Sequence, residues 1–281
     1  YFCKNWLLLK LNFRRKINSK RMKNYIVLGL IGFALLSCKK EISNDNELGQ
    51  EAQTSLASNQ SSTDSLYTYS YLPTSTTKQI VKHQYYTLSY NEKFEQAEWV
   101  AYELKKEYLK NGNYKRPYFS EDPSVTTGSA DWRNYKKSGY DKGHLCPAGD
   151  MEFDQKAYND TFYTSNISPQ DHDFNSGIWN RLEQKTRYWA DKYNDIYVVT
   201  GGILKDSDKK IGTEKVAVPK YFYKIILAKT GKEHKAIAFL VPNQDSDQSL
   251  YDFVVPIETL EQMTGIDFFP NLKNLKSSKD F

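Results

Sequence analysis

A short polar stretch of the chain carries side chains of the kinds used in acid–base chemistry. Asp141, Lys142, Gly143 and His144 follow one another directly. The imidazole of His144 is suited to act as a base near neutral pH, because its unperturbed pKa is about 6.5. We expect Asp141 to orient this imidazole and Gly143 to let the chain turn where other residues would be strained. These four residues predict a reactive site if further polar groups reach them.

A second set of polar side chains follows on a predicted strand and helix. Residues 161–170 predict a short strand that ends in a proline turn, and apolar residues at helical spacing predict a helix over residues 176–194. Asn175 or Ser176 is expected to cap this helix. Glu183 lies about two turns after Asn175, near the same helix face. Because Mg²⁺ prefers oxygen donors, this Asn and Glu indicate a site for a hard cation.

The order of these motifs resembles that of the DNA/RNA non-specific endonucleases, an endonuclease G-like family of ββα-metal nucleases. The family's Asp-Arg-Gly-His motif corresponds to residues 141–144, and its Ser-Asn-Ile-x-Pro-Gln run corresponds to residues 165–170. Its metal-binding Asn, followed by Trp and Leu-Glu, corresponds to Asn175, Trp179, Leu182 and Glu183. Weaker matches extend the resemblance over about residues 84–270.

The resemblance implies a mixed α+β fold with a largely antiparallel sheet and a ββα-metal core. It implies hydrolysis of phosphodiester bonds in DNA and RNA that depends on Mg²⁺, with Mn²⁺ as the alternative ion. His144 would be the general base and Asn175 a direct metal ligand. Glu183 would hold metal-bound waters. The resemblance also allows the protein to form a homodimer.

Two basic positions are expected to contact phosphate. The family has an arginine just before a Phe and an Asp-Pro pair, and Arg116 is its nearest match here. Lys115 stays open as the alternative, because the offset from Phe119 differs by one between the two. Lys142 stands where the family usually has arginine. Since an ammonium group cannot make the planar bidentate contact of a guanidinium, we expect Lys142 to hold phosphate less well.

The positive charge of the chain is concentrated at its start. The first 37 residues contain eight basic residues and no acidic ones, while the whole chain has 39 basic and 34 acidic residues. The remainder therefore has 31 basic against 34 acidic residues, a net charge of −3. A surface that binds nucleic acid must consequently be a local basic patch.

Composition divides the chain into four segments. Residues 1–21 are expected to be an upstream extension without structure, and residues 22–38 a bacterial lipoprotein signal that ends at Cys38. Residues 39–77 are polar and predict a disordered tether, and residues 78–281 predict the endonuclease domain. A lipidated Cys38 would place the domain in the bacterial cell envelope outside the cytoplasm, with the membrane face left open.

The rest of the domain is predicted to consist mainly of strands. Residues 99–104 alternate as a strand does, although a helix over residues 93–110 competes. Cys146 is expected to be a small buried residue, and His83, His172 and His234 are expected at the surface, with His172 the one that lies closest to Asn175. Further strands are predicted over residues 84–90 and 195–200 and in a hairpin of residues 216–229 and 234–241, followed by helical segments over residues 250–264 that Pro256 interrupts.

Two other functions fit the same residues. One is an inactive nuclease-fold surface lipoprotein that binds nucleic acid. The other is a metal-dependent phosphodiesterase that acts on small or non-nucleic substrates. The presence of His144, Asn175 and Glu183 together favours an active nuclease over the first alternative.

Overall fold

A long, mostly antiparallel sheet runs through the centre of the fold. The computed structural model describes residues 71–230, 233–272, 275–277 and 281. The strands of the described residues are β1 (Ile80–Lys82), β2 (Tyr86–Asn91), β3 (Gln96–Lys105), β4 (Asp141–His144), β5 (Ile167–Gln170), β6 (Asp195–Gly202), β7 (Lys209–Ile211), β8 (Val216–Val218), β9 (Tyr221–Thr230), β10 (Glu233–Pro242), β11 (Val254–Val255) and β12 (Lys276–Ser277). The large sheet has the order β1-β2-β3-β6-β9-β10-β11, and β12 pairs with β10 in parallel.

Helices are few and short compared with the sheet. They are α1 (Gln155–Asp160), α2 (His172–Phe174), α3 (Asn180–Tyr193) and α4 (Ile257–Thr264) in the described residues, and the π turn Asn175–Trp179 joins α2 to α3. Single 3₁₀ turns occur at Glu92–Phe94, Lys106–Tyr108, Trp132–Tyr135, Ala148–Asp150, Thr164–Asn166 and Leu250–Phe253. The predicted α+β class with a largely antiparallel sheet is therefore confirmed.

The large sheet is covered on both faces, since successive residues of its strands enter two separate cores. On β3, Val100 and Tyr102 pack into a core with α3, whereas Trp99 and Ala101 pack into a core with α4. This strict alternation follows from the period of two in a strand. It explains why residues 99–104 form a strand and why the competing helix is wrong: a helix would not divide these apolar side chains between two faces.

A separate two-stranded ribbon and the long helix form the ββα unit. Strand β4 pairs antiparallel with β5, so that His144 lies opposite Ile167 and Lys142 lies opposite Pro169. Pro169 was expected to end the strand in a turn, but it lies within β5. The ribbon has only two strands, so the missing N–H of a proline can face its unpaired edge.

The helix of the ββα unit begins earlier than its periodicity predicts. Asp171 caps its first turn, because its carboxylate accepts hydrogen bonds from the backbone N–H groups of Asp173 and Phe174. The expected caps at Asn175 and Ser176 are therefore wrong. The kink at Gly177, where the backbone leaves helical geometry, separates this first part from α3.

The first described residues already pack against the domain. Tyr71 is buried and its ring lies 4.0 Å from that of Tyr197, while the backbone N–H of Thr74 donates to Asp267. The domain thus begins before the predicted boundary at residue 78, because an aromatic residue in this polar segment buries its ring. The rest of the predicted tether, the extension and the signal with Cys38 lie outside the described residues.

None of the helices within the described ranges has both the length and the apolar character needed to cross a bilayer.

Candidate active site

The β4–β5 ribbon holds the predicted motif in a close strand pairing. Gly143 continues β4 opposite Ser168 instead of turning the chain, which corrects the expected role of this glycine. A Cβ atom at Gly143 would collide with the side chain of Gln170, which is fully buried. Glycine is needed at this position because the Gln170 side chain passes directly against the strand.

His144 lies at the end of β4 between two aromatic rings. Its ring centroid is 5.6 Å from that of Phe119 and 5.0 Å from that of Phe162, which meets it edge-on. Its Nε2 atom is buried and makes no hydrogen bond to any described residue. Removal of the ring from water, and then the nearby Arg116, lower the pKa of His144 to about 3. The imidazole is therefore neutral at pH 7, and its Nε2 atom makes no hydrogen bond to another described group.

Two cations surround the same aromatic side chain. The guanidinium carbon of Arg116 lies 5.6 Å from the ring centre of Phe119 and 5.3 Å from that of Phe162. The Lys142 ammonium lies 5.3 Å from the Phe119 ring centre. Arg116 thus shares both aromatic neighbours of His144, whereas the structure gives no such contact to Lys115.

Asp141 lies on the opposite side of β4 from His144, so it does not orient the imidazole. Its Oδ2 atom accepts a hydrogen bond from Nδ2 of Asn175 at 3.0 Å and contacts Nδ1 of His172 at 2.9 Å. Side chains alternate between the two faces of a strand, and residues 141 and 144 are an odd number of positions apart. Their side chains therefore lie on different faces of β4. The adjacency of Asp141 and His144 in sequence was therefore misleading.

Asn175 is fixed by this hydrogen bond in a way that suits a hard cation. Donation from its Nδ2 atom to Asp141 leaves its carbonyl oxygen Oδ1 without a hydrogen bond to the described residues. No cluster of three or more His, Cys, Asp or Glu side chains in the described ranges could hold a metal. Mg²⁺ is commonly bound through one or two protein oxygens and several waters, so these residues fit such an ion.

Glu183, on α3, faces a buried group of charges. Burial raises its pKa to about 7, while the positive charges of Lys224 and Arg187 oppose the rise. Lys224 is fully buried, and its ammonium donates to Thr200 Oγ1 at 2.7 Å. Asp150 accepts hydrogen bonds from Arg187 and from Tyr102, both at 2.7 Å. Glu183 therefore lies near the charged side chains of Lys224, Asp150 and Arg187. Its role in holding metal-bound waters stays a prediction.

Several residues of this neighbourhood escaped the sequence analysis. Lys224 lies within a run that reads as a buried strand, so its charge gave no sign of a site. Phe162 and Asp150 come from separate segments whose proximity to His144 and Glu183 depends on the fold. The side chain of His83 is only 5% exposed and contacts Asp122 at 2.9 Å, so its predicted surface position is wrong. The predicted burial of Cys146 is confirmed.

Comparison with known proteins points to one family. The model of the DNA/RNA non-specific endonucleases matches residues 64–275. The mitochondrial nuclease EXOG of Danio rerio is 38% identical over 210 residues, which cover 69% of this chain and 61% of that protein. Human mitochondrial endonuclease G is 35% identical over 209 residues, which cover 69% of this chain and 70% of that protein. The chain thus spans less than two thirds of the EXOG relative.

A solved structure shares the fold as well as sequence. The chain matches one from a crystal structure of the EndoG/EndoGI complex with a TM-score of 0.72 and 29% identity. The match covers 80% of this chain and 99% of that one. The ββα unit with His144 and Asn175 lies inside the region that the family model matches. This protein therefore belongs to the DNA/RNA non-specific endonuclease family.

Proposed function

We propose that the protein is a metal-dependent endonuclease that hydrolyses phosphodiester bonds of DNA and RNA without strong sequence preference. The observation that supports this most is the set of groups that β4 gathers in the ββα unit. His144 has Arg116 and Lys142 beside the aromatic ring that it contacts, and Asp141 of the same strand orients the amide of Asn175. Metal-assisted hydrolysis of a phosphodiester uses both a base and a charge-neutralising ion.

His144 acts as the general base that removes a proton from the attacking water. Its low pKa keeps it neutral in the free protein, but such a weak base would accept a proton poorly. A substrate phosphate placed beside Arg116 would offset the guanidinium charge that contributes to this low value. The pKa of His144 would then rise, since the phosphate would favour the protonated imidazole, while burial of the ring would still lower it.

The cations and Asn175 divide the remaining work. Arg116 and Lys142 hold the phosphate near His144, and Asn175 would hold the metal through Oδ1, with Glu183 orienting its waters. Mg²⁺ or Mn²⁺ bound there would supply positive charge to the phosphate and the leaving oxygen. Asp141 fixes the Asn175 amide so that its oxygen, and not its nitrogen, is presented.

Substrate breadth follows from how these groups recognise nucleic acid. Arg116 and Lys142 are suited to phosphate, and phosphate contacts carry little sequence information. Single-stranded DNA, double-stranded DNA and RNA are therefore all expected to be cut. Rising salt concentration is expected to weaken their binding, since each phosphate contact releases counterions.

Cleavage assays on the full chain test this proposal. Plasmid DNA, a single-stranded oligonucleotide and RNA are incubated with Mg²⁺, with Mn²⁺ or with EDTA, and the products are separated on gels. The proposal requires cleavage of all three with either ion and none with EDTA. Binding without cleavage would indicate the inactive lipoprotein, and cleavage of nucleotide diesters alone would indicate a small-substrate phosphodiesterase.

A further inference from the structure

A second positively charged feature lies beside the ββα unit. A groove of about 600 Å³ is formed between the turn at residues 131–138 and the β7–β8 hairpin. Its basic side chains are Arg133, Lys136, Lys137, Lys209 and Lys210, against two acidic ones, Asp131 and Glu214. The chain after residue 37 has a net charge of −3, so this local excess of positive charge is opposite in sign to the net charge of that whole part of the chain.

The two acidic residues of the groove are already engaged. Asp131 accepts a hydrogen bond from the backbone N–H of Arg133 and pairs with its guanidinium. Glu214 accepts hydrogen bonds from the backbone N–H of Asp131 and from the side-chain amide of Asn134. Glu214 thus fastens the hairpin to the turn, Asp131 holds Arg133 within the turn, and neither carboxylate forms an ion pair with a lysine of the groove.

The four lysines of the groove carry exposed charges. Lys136 and Lys137 lie on the turn, and Lys209 and Lys210 lie on β7. None of them forms an ion pair with a carboxylate among the residues that the structure covers. The Lys209 ammonium lies 4.8 Å from the ring centre of Tyr140, which directly precedes β4.

A small apolar core connects the groove to the catalytic ribbon. Tyr135 from the turn and Ile211 from β7 pack in it with Ile167 of β5. Ile167 is the residue that pairs with His144, and the Tyr135 hydroxyl donates to its carbonyl at 3.3 Å. The groove is therefore held rigidly relative to the site of hydrolysis, although none of its lysines belongs to that site.

The length of chain between groove and site limits their separation. Ser138 lines the groove, and His144 lies six positions later in the chain. Six steps of extended chain span at most about 20 Å. One strand of a duplex presents a phosphate about every 3.4 Å along the axis, so this separation corresponds to about six phosphates. A strand that is cut at His144 and continues in this direction would reach the groove within about six nucleotides.

We propose that this groove is a second binding site for the sugar-phosphate backbone, which holds the part of the nucleic-acid strand that flanks the bond to be cut. The inference deepens the proposed function and rests on it for the nature of the ligand. The groove increases the affinity for long strands, whereas a trinucleotide fits the catalytic ribbon alone. Its lysines bind substrate and take no part in bond cleavage.

Equilibrium binding without catalysis tests this site. The full chain is titrated in EDTA with a fluorescent 24-nucleotide single strand and with a trinucleotide, over a range of salt concentrations. The variants are Lys136→Gln/Lys137→Gln on the turn and Lys209→Gln/Lys210→Gln on the hairpin. The control Lys106→Gln/Lys192→Gln removes the same charge at the far end of α3, where Lys106 pairs with Asp191. Melting temperatures verify that all three variants fold.

The proposal requires that both groove variants raise Kd for the long strand roughly 5–25-fold near 0.1 M salt. This follows from losing two phosphate contacts, which also lowers the slope of log Kd against log salt by about 1.4. The control and the trinucleotide should change by less than about twofold, and kcat with Mg²⁺ should be retained. Groove variants that bind the long strand as the wild type does, or no more weakly than the control variant does, would overturn it.

The outcome is separable from that of the proposed function. A wild-type protein that binds long strands through the groove but cuts none of them would contradict the endonuclease and leave the groove intact. A wild-type protein that cuts DNA and RNA, with groove variants that bind normally, would contradict the groove alone.

Discussion

At the scale of single residues, one strand brings together the groups of the proposed mechanism. His144 and Lys142 of β4 lie beside Phe119, and Asp141 of the same strand fixes Asn175. In the proposed mechanism, the motif of four consecutive residues thus supplies both the base and the support for a metal ligand. Its sequence alone suggested a single His–Asp pair, because strand alternation in this short segment becomes evident only once its pairing with β5 is known.

The pH dependence of activity should be governed by Glu183 and not by His144. A raised pKa of about 7 means that the Glu183 carboxyl becomes protonated, and loses its charge, as the pH falls through 7. With its pKa near 3, the free His144 would still be neutral at that point. We expect kcat/KM, measured on a short oligonucleotide at saturating Mg²⁺, to decline as the pH falls, with a midpoint below 7 because the positive charge of the bound ion favours the carboxylate.

The variant Glu183→Gln serves as the control for this assignment, since glutamine resembles the protonated acid in shape. It should have low activity that no longer declines between pH 8 and pH 6. An unchanged decline in this variant would assign the titration to another group.

At the scale of elements, the ribbon depends on the close contact at Gly143. The variant Gly143→Ala should destabilise the protein by about 1–3 kcal/mol, as overpacking of a buried site does, because the added Cβ collides with Gln170. Thermal unfolding would measure this change. Gly149→Ala is a matched control, since a Cβ there would lie 3.4 Å from the flexible end of Arg187. Equal melting temperatures for both variants would contradict the packing argument.

The elements also show what sequence patterns can and cannot predict. The strand at residues 99–104 was predictable from the alternation of its side chains. In the fold, successive residues of this strand enter two different apolar cores. The start of the long helix was not, because Asp171 and the kink at Gly177 shift it away from the apolar periodicity. The spacing of Asn175 and Glu183 made them candidates, whereas Lys224 and Asp150 reach Glu183 through tertiary contacts alone.

At the scale of the whole molecule, the domain is expected to be tethered to a membrane. Cys38 follows a short apolar run of the kind that ends a lipoprotein signal. We predict that the full chain made in a bacterium incorporates labelled fatty acid and partitions into membranes, since several acyl chains anchor a protein firmly. The variant Cys38→Ala should lose both properties while the endonuclease domain stays folded. Labelling that persists in this variant would rule out this anchor.

The division of the site between base and metal ligand is tested most directly by two parallel Mg²⁺ titrations. His144→Ala should lower kcat by roughly 10²–10⁴-fold at every Mg²⁺ concentration, because no ion replaces a missing general base. Asn175→Ala removes one metal ligand, so high Mg²⁺ should partly restore its activity. Rescue of His144→Ala but not of Asn175→Ala would show that the two roles are exchanged, and full activity in both variants would contradict the site itself.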